Sequence, residues 1–403
     1  MEAVKAKQRR PSCWAVGTET DGMSIPPARR RQLRTWTPTG EDGRLRAGVT
    51  DAGEGLLDLA SNDYLSLCRH PAVIAAAHEE LLRSGAGAAG SRLVSGTRPV
   101  HDQLETALSH WLGRERVLLF PSGFQANLAA VSALADRHTI VLADRLIHHS
   151  LLVGVQASGA RLRRFAHNDL QALEHLLRQC RNDRPSAALL VITESLFSME
   201  GTSPVLADLS ALCREHGAKL LLDEAHALGV LGDAGRGLGF GMHDVTMISG
   251  TFGKSFGSGG AFLACDEALG EHLLQSSGAF RYTTALAPSL AAAALAALQL
   301  IQANPTWGAK LVQRGETWRA QLQNAGWTRP IGTGPIVPLL VGDDQASLDL
   351  QGKLELAGLL TVAIRPPTVP EGSARLRLVL HRTLPDETLD SLIQVLARTG
   401  SPR

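Results

Sequence analysis

No stretch of this sequence is apolar for long enough to cross a membrane. The most apolar helical run, Leu286 to Ile301, carries Pro288 near its start and Gln299 near its end. It falls short of the ~18 unbroken apolar residues that a span needs and reads as a buried helix. The opening segment is rich in Arg, Pro and Gly and lacks the apolar h-region of a secretory signal. It reads as a loose arm, with Met23 as a second candidate start. Charge of one sign is missing too: the formal net charge is +1, so there is no basic track for nucleic acid or a membrane surface. The five cysteines, Cys13, Cys68, Cys180, Cys213 and Cys265, show no CxxC spacing. A chain of 403 residues has core enough to hold together without disulfides, so a reduced, cytoplasmic home is expected. Internal repeats are absent, as is low complexity beyond the arm.

What is present is an alternation. From about residue 115 short apolar runs of β type alternate with helical segments: Arg116 to Phe120, Thr139 to Ala143, Arg161 to Phe165, Ala187 to Thr193, Lys219 to Asp223 and Val245 to Ser249. Apolar strands separated by helices imply an α/β fold, a mostly parallel sheet covered on both faces. Such sheets bind ligands beyond the carboxyl ends of their strands. After Pro288 the pattern changes to short strands near Ile336 to Leu340 and Arg375 to Leu380 and a last helix from Asp386 to Arg398. The expected organisation is an N-terminal arm over 1–50, disordered over 1–28, a large α/β domain over 51–287 and a smaller α+β domain over 288–403.

Chemistry collects at the strand ends. Ser249-Gly250-Thr251-Phe252-Gly253-Lys254 places a lysine among small residues just after a buried strand, and Lys219-Leu220-Leu221-Leu222-Asp223-Glu224-Ala225-His226 ends another strand in a carboxylate with a histidine three positions on. Lysine, aspartate and histidine so placed suit a cofactor held through an imine, with pyridoxal phosphate the leading candidate. Phe120-Pro121-Ser122-Gly123-Phe124 reads as a strand, a turn and a helix start, whose amides at Gly123 and Phe124 suit a phosphate. In Asp144-Arg145-Leu146-Ile147-His148-His149-Ser150 only one of two adjacent histidines can face a site, since helical neighbours point about 100° apart. Glu194-Ser195-Leu196-Phe197-Ser198 closes another strand with hydroxyls and carboxylates, a pattern that simple turn chemistry would also give.

Three look-alikes fail on context. Gly85-Ala86-Gly87-Ala88-Ala89-Gly90 spells GxGxxG but follows a helical segment, Val73 to Leu82, rather than a strand. Its glycines suit a sharp turn or a close approach. Asp223-Glu224-Ala225-His226 spells a helicase box and Gly253-Lys254-Ser255 the end of a P-loop. Ile248 stands where the P-loop requires glycine, however, and the two motifs come in the wrong order.

Taken together, the motifs resemble the α-oxoamine synthases, fold-type-I pyridoxal phosphate enzymes, over most of the chain from Asn62-Asp63-Tyr64-Leu65 to Arg377. The discriminating pieces are Gly250-Thr251-Phe252-Gly253-Lys254, Phe197-Ser198-Met199-Glu200-Gly201, and Ile364-Arg365-Pro366-Pro367-Thr368-Val369-Pro370 followed by Arg375-Leu376-Arg377-Leu378. The resemblance implies that Lys254 is the Schiff-base lysine, Asp223 the partner of the pyridine nitrogen and His148 the residue stacked on the ring. It implies that His226 and Ser198 bond the phenolic side, that Thr251, Gly123 and Phe124 hold the phosphate, and that Thr283 or Thr284 reaches the phosphate of a neighbouring subunit in a homodimer. Arg377 matches the arginine that grips the amino-acid carboxylate; Asn62, His148, Thr368 and Arg34 match substrate positions. Departures are mild: Glu224 replaces a common aspartate, Ala227 a glycine, and Leu65-Ser66-Leu67 stands for Leu-Gly-Leu.

The implied reaction is a decarboxylative condensation of L-alanine with a pimeloyl thioester, on coenzyme A or acyl carrier protein, as in biotin biosynthesis. A sister enzyme using glycine or serine, and a non-catalytic sensor on the same fold, are the alternatives. The sensor would need a DNA-binding module that the short arm cannot supply. No metal is expected.

Overall fold

A computed structural model describes residues 25–39, 43–48 and 55–399; residues 1–24, nearly half of the expected arm and with it Met23, lie outside them. Seven strands form the central sheet: β1 (Arg116–Phe120), β2 (Ile140–Asp144), β3 (Arg161–Phe165), β4 (Leu189–Glu194), β5 (Lys219–Asp223), β6 (Met247–Thr251) and β7 (Ala261–Cys265), in the order β1-β7-β6-β5-β4-β2-β3. All pairings from β6 to β3 are parallel, whereas β7 runs antiparallel to both β1 and β6. That seventh strand was not among the six read from the sequence. It follows β6 after a short glycine-rich link, too brief for the crossover helix that a parallel return requires, so it turns back.

Because successive side chains point to opposite faces of a strand, each apolar run serves two cores. Val117 and Leu119 join one cluster with Leu142, Val191, Leu220 and Leu222, while Leu118 and Phe120 join the other with Val141, Ile192 and Leu221. The first face is covered by helices 71–84, 99–112, 170–183, 206–215 and 288–303, and the second by helices 123–134, 149–158 and 267–276. The alanine-rich helix Pro288–Ala303 packs on Pro71–Ser84, its alanines letting the two axes come close.

C-terminal strands β8 (Ile336–Gly342), β9 (Val362–Ile364) and β10 (Ala374–Val379) form an antiparallel sheet in the order β8-β10-β9. Helices 307–324, 344–356 and 388–399 complete a separate core around Trp318, Leu376 and Leu378. Strands Trp36–Thr39, Arg44–Ala47 and Leu56–Asp58 form a further small sheet that Leu359–Leu360 extends in parallel. Among the described residues no helix is long and apolar enough to cross a membrane.

Candidate active site

Strand register puts the chemistry on one edge. Glu194 pairs with Asp223, and Asp223 with Ser249, so β4, β5 and β6 deliver their carboxyl ends side by side. Phe120 pairs with Ala261 and Ala261 with Thr251, which brings the Ser122–Gly123 turn to the same edge.

The core of the site is a hydrogen-bonded chain. Asn127 Nδ2 donates to Asp223 Oδ2 at 2.8 Å and to Ser150 Oγ at 2.9 Å, and Ser150 Oγ lies 2.7 Å from His148 Nδ1. Asp223 Oδ1 accepts from the Ala225 amide at 2.9 Å. Asn127 and Ser150 are both buried and thus tie His148 to Asp223. Neither was singled out from the sequence, although Asn127 interrupts an otherwise apolar helix face and Ser150 closes the stretch from Asp144 that carries the two histidines. His148 and His149 are both exposed, and of the two only His148 joins this chain.

Lys254 follows β6 and is half-buried, and its ammonium makes no hydrogen bond to any described residue. Burial lowers its pKa to about 8, against the opposing pull of Asp223 and Glu194. Glu194, only 3% exposed, is held well above the ordinary carboxylate range by burial and then by the charge of Asp223. Its role was not anticipated, because strand-end carboxylates are common and only the register shows this one beside Asp223.

His226 is buried and its pKa lies well below the ordinary value, chiefly through desolvation and then through Lys254 and Arg377. The Tyr64 hydroxyl, pushed up to about 12 by burial, lies 2.6 Å from His226 Nδ1 and 3.4 Å from Asn62 Oδ1. Tyr64 is a further residue missed from the sequence, because its partner lies 162 positions away.

Around this center the helix Gly123–Leu134 begins with open amides. Ser122 takes the Gln125 amide with Oγ (3.3 Å) and the Ala126 amide with its carbonyl (3.0 Å), while Gly123 and Phe124 have no carbonyl one turn back. Thr251 stands against them: a Cβ on Gly123 would lie 3.8 Å from Thr251 Oγ1. Thr251 Oγ1 donates to the Gly260 carbonyl at 3.0 Å and accepts from the Gly253 amide at 3.2 Å. Arg377, buried on β10, donates from Nε to the Ser198 carbonyl at 2.6 Å and from Nη2 to Asn62 Oδ1 at 2.8 Å. The structure therefore gathers Asn62, Gly123, Phe124, His148, Ser198, Asp223, His226, Thr251, Lys254 and Arg377 along one edge.

Four expected residues stand apart. Thr283 and Thr284 line a separate hollow with Ser91, Leu93, Val94 and Tyr282. Thr368 and Arg34 share a hollow of about 650 Å³ with Arg31, Met199 and Arg365. There Arg34 is committed to Glu355 by two bonds, 2.6 and 2.9 Å, and stacks over Trp36, whereas Thr368 Oγ1 accepts from Arg31 at 2.8 Å. Glu224, beside Asp223 in sequence, points away into a cage made by Ser195 Oγ and the amides of Leu238 and Gly239.

Residues 54–396 match the family model for class I and II aminotransferases. The chain belongs to that family. Among its curated relatives, the 8-amino-7-oxononanoate synthase of Chromohalobacter salexigens is 42% identical over 387 residues, 95% of this chain and 98% of the relative. The enzyme of the same name from Klebsiella pneumoniae subsp. pneumoniae is 44% identical over 350 residues, covering 85% and 89%. Among solved structures, Sphingomonas wittichii serine palmitoyltransferase superposes with a TM-score of 0.84 at 29% identity, covering 89% of this chain and 90% of that one. The 8-amino-7-oxononanoate synthase of Francisella tularensis gives 0.72 at 28%, covering 85% and 96%. These family members share the resemblance that the motifs carried.

Proposed function

We propose that this protein joins L-alanine to a pimeloyl thioester, on coenzyme A or acyl carrier protein, giving 8-amino-7-oxononanoate, carbon dioxide and free thiol. The observation that carries the chemistry is the unpaired amine of Lys254 at the strand edge where Asp223 is tied to His148. The residues present fit pyridoxal phosphate: an amine for its aldehyde, a buried carboxylate for its ring nitrogen and open helix-start amides for its phosphate. Bound there, the cofactor supplies an electron sink for a bond breaking at the substrate α-carbon.

The protein's own groups do the rest. Lys254 Nζ would hold the cofactor, and its free amine would take the α-proton. Asp223 would keep the ring nitrogen protonated and His148 would cover one ring face. His226 and Ser198 would serve the phenolic oxygen, and Thr251 would join Gly123 and Phe124 at the phosphate. Arg377 grips the alanine carboxylate, the group later lost as carbon dioxide. Thr368 and Arg34 line the acyl hollow, and Asn62 steadies Arg377. Thr283 and Thr284 serve the site of a second copy, so the working unit is a homodimer, in the cytoplasm.

The test pairs the loaded protein with alanine, glycine or serine and a panel of acyl thioesters, following carbon dioxide and thiol release. Alanine with the pimeloyl thioester is expected to dominate. Preference for serine with a long acyl chain would favour the second reading, which the likeness to serine palmitoyltransferase supports. Lys254→Ala should abolish turnover with an unchanged circular dichroism spectrum; near-normal rates would remove the mechanism.

A further inference from the structure

Asp144 and His167 have no part in the chemistry above, yet they are bonded as carefully as the site itself. Asp144 ends β2 and is fully buried. Its carboxylate accepts from the Leu146 amide at 2.8 Å, from the Asn168 amide at 2.8 Å and from His167 Nδ1 at 3.0 and 3.2 Å. Asn168 sits in the left-handed region with φ of 55°, one of the few side chains that tolerates it, and this turn returns its amide to Asp144. His167 stands edge-on to Phe197, ring centers 4.4 Å apart. With Nδ1–H facing a carboxylate, Nε2 is left as the acceptor, and Thr202 Oγ1 donates to it at 2.7 Å.

The chain from Asp144 ends on the turn that carries Ser198. Phe197 donates its amide to the Thr202 carbonyl at 2.9 Å and accepts from the Gly201 amide at 2.8 Å, which closes residues 197–202 on themselves. Two arginines of β10 grip the other side of that turn. Arg377 Nε binds the Ser198 carbonyl at 2.6 Å, and Arg375 binds the Met199 carbonyl at 3.4 Å and the Glu200 carboxylate at 3.3 Å. The turn is thus anchored to β2 through His167 and to β10 through the arginines.

We propose that Asp144, His167 and Thr202 form a positioning relay that fixes where the Ser198 carbonyl holds Arg377, and so sets the grip of the enzyme on the amino-acid carboxylate. His167 and Thr202 are positioning residues; neither touches the reacting atoms. The relay rests on the reading of Arg377 as the carboxylate clamp. Without the Thr202 hydroxyl the turn keeps its fold but loses its fixed distance from β2, and Arg377 loses its aim.

The test uses the cofactor-loaded enzyme. In Thr202→Val the dissociation constant for L-alanine, read from the change in cofactor absorbance, should rise roughly tenfold, the scale on which a misplaced orienting group acts. Affinity for ethylamine, which has no carboxylate, should stay as it was, and Thr202→Ser should restore alanine binding. His167→Asn, which keeps the donor to Asp144 but not the acceptor for Thr202, should give the same loss, and the double variant no more than either alone. Equal weakening of alanine and ethylamine, or alanine binding unchanged in Thr202→Val, would overturn the relay. If the unmodified enzyme prefers glycine or serine, the functional reading fails, while the same titration with that amino acid still decides the relay.

Discussion

Arg377 and Ser198, 179 residues apart, meet through a 2.6 Å bond from the guanidinium Nε to the backbone carbonyl. One edge of the fork is spent on that carbonyl and on Asn62 Oδ1, so its orientation is set before any substrate arrives. A lysine cannot reproduce a planar fork held on one edge. Arg377→Lys should raise the KM for L-alanine by about tenfold to a hundredfold, the worth of hydrogen bonds to a charged group, and leave the KM for the acyl thioester nearly unchanged. Steady-state kinetics with each substrate varied in turn would show it.

Lys254 must lose a proton before it can take up the cofactor. With its pKa lowered to about 8, mainly by burial, the free amine grows as pH rises and then saturates. The rate of reconstitution of the apo protein with pyridoxal phosphate should therefore climb through neutral pH and level off above about 8. An ordinary lysine amine would keep the rate climbing to near pH 10, and stopped-flow absorbance separates the two profiles.

Glu194 should lower the stability of the apo protein at neutral pH. Burial raises its folded-state pKa well above 4.5, so the folded protein holds a proton that the unfolded chain releases. The sign follows: its contribution is most favourable below about pH 4.5 and is lost as pH rises toward the folded value. Glu194→Gln keeps the shape and removes the titration. It should melt higher than the parent at pH 7, with the gap closing as pH falls toward 5, in thermal scans of both proteins across that range.

Gly201 sits in the turn held by Arg377, at φ of 64°, where an added Cβ would lie 2.6 Å from the Ile336 carbonyl oxygen. Both the left-handed backbone and the clash oppose any side chain. Gly201→Ala should cost about 2 kcal/mol or more in denaturant unfolding, well above what an exposed turn glycine would lose.

Much of this was legible in the chain itself. The alternation of apolar runs and helical segments determined a covered, mostly parallel sheet, because a strand buried on both faces must be apolar throughout. Lys254, Asp223, His226 and His148 drew attention as candidates because each lies at the end of such a run or within four residues of it, and a strand end is where a polar group can first escape the core. What only the tertiary structure decided depends on register and on distant pairs. The antiparallel strand Ala261–Cys265, the placement of Glu194 beside Asp223, the bond from Tyr64 to His226, and the commitment of Arg34 to Glu355 all join segments whose spacing along the chain has no period. Local sequence sets which residues sit at an edge, through backbone geometry and burial. Which of them touch is settled by how strands align and helices dock, an energy shared across the whole core and written at no single position.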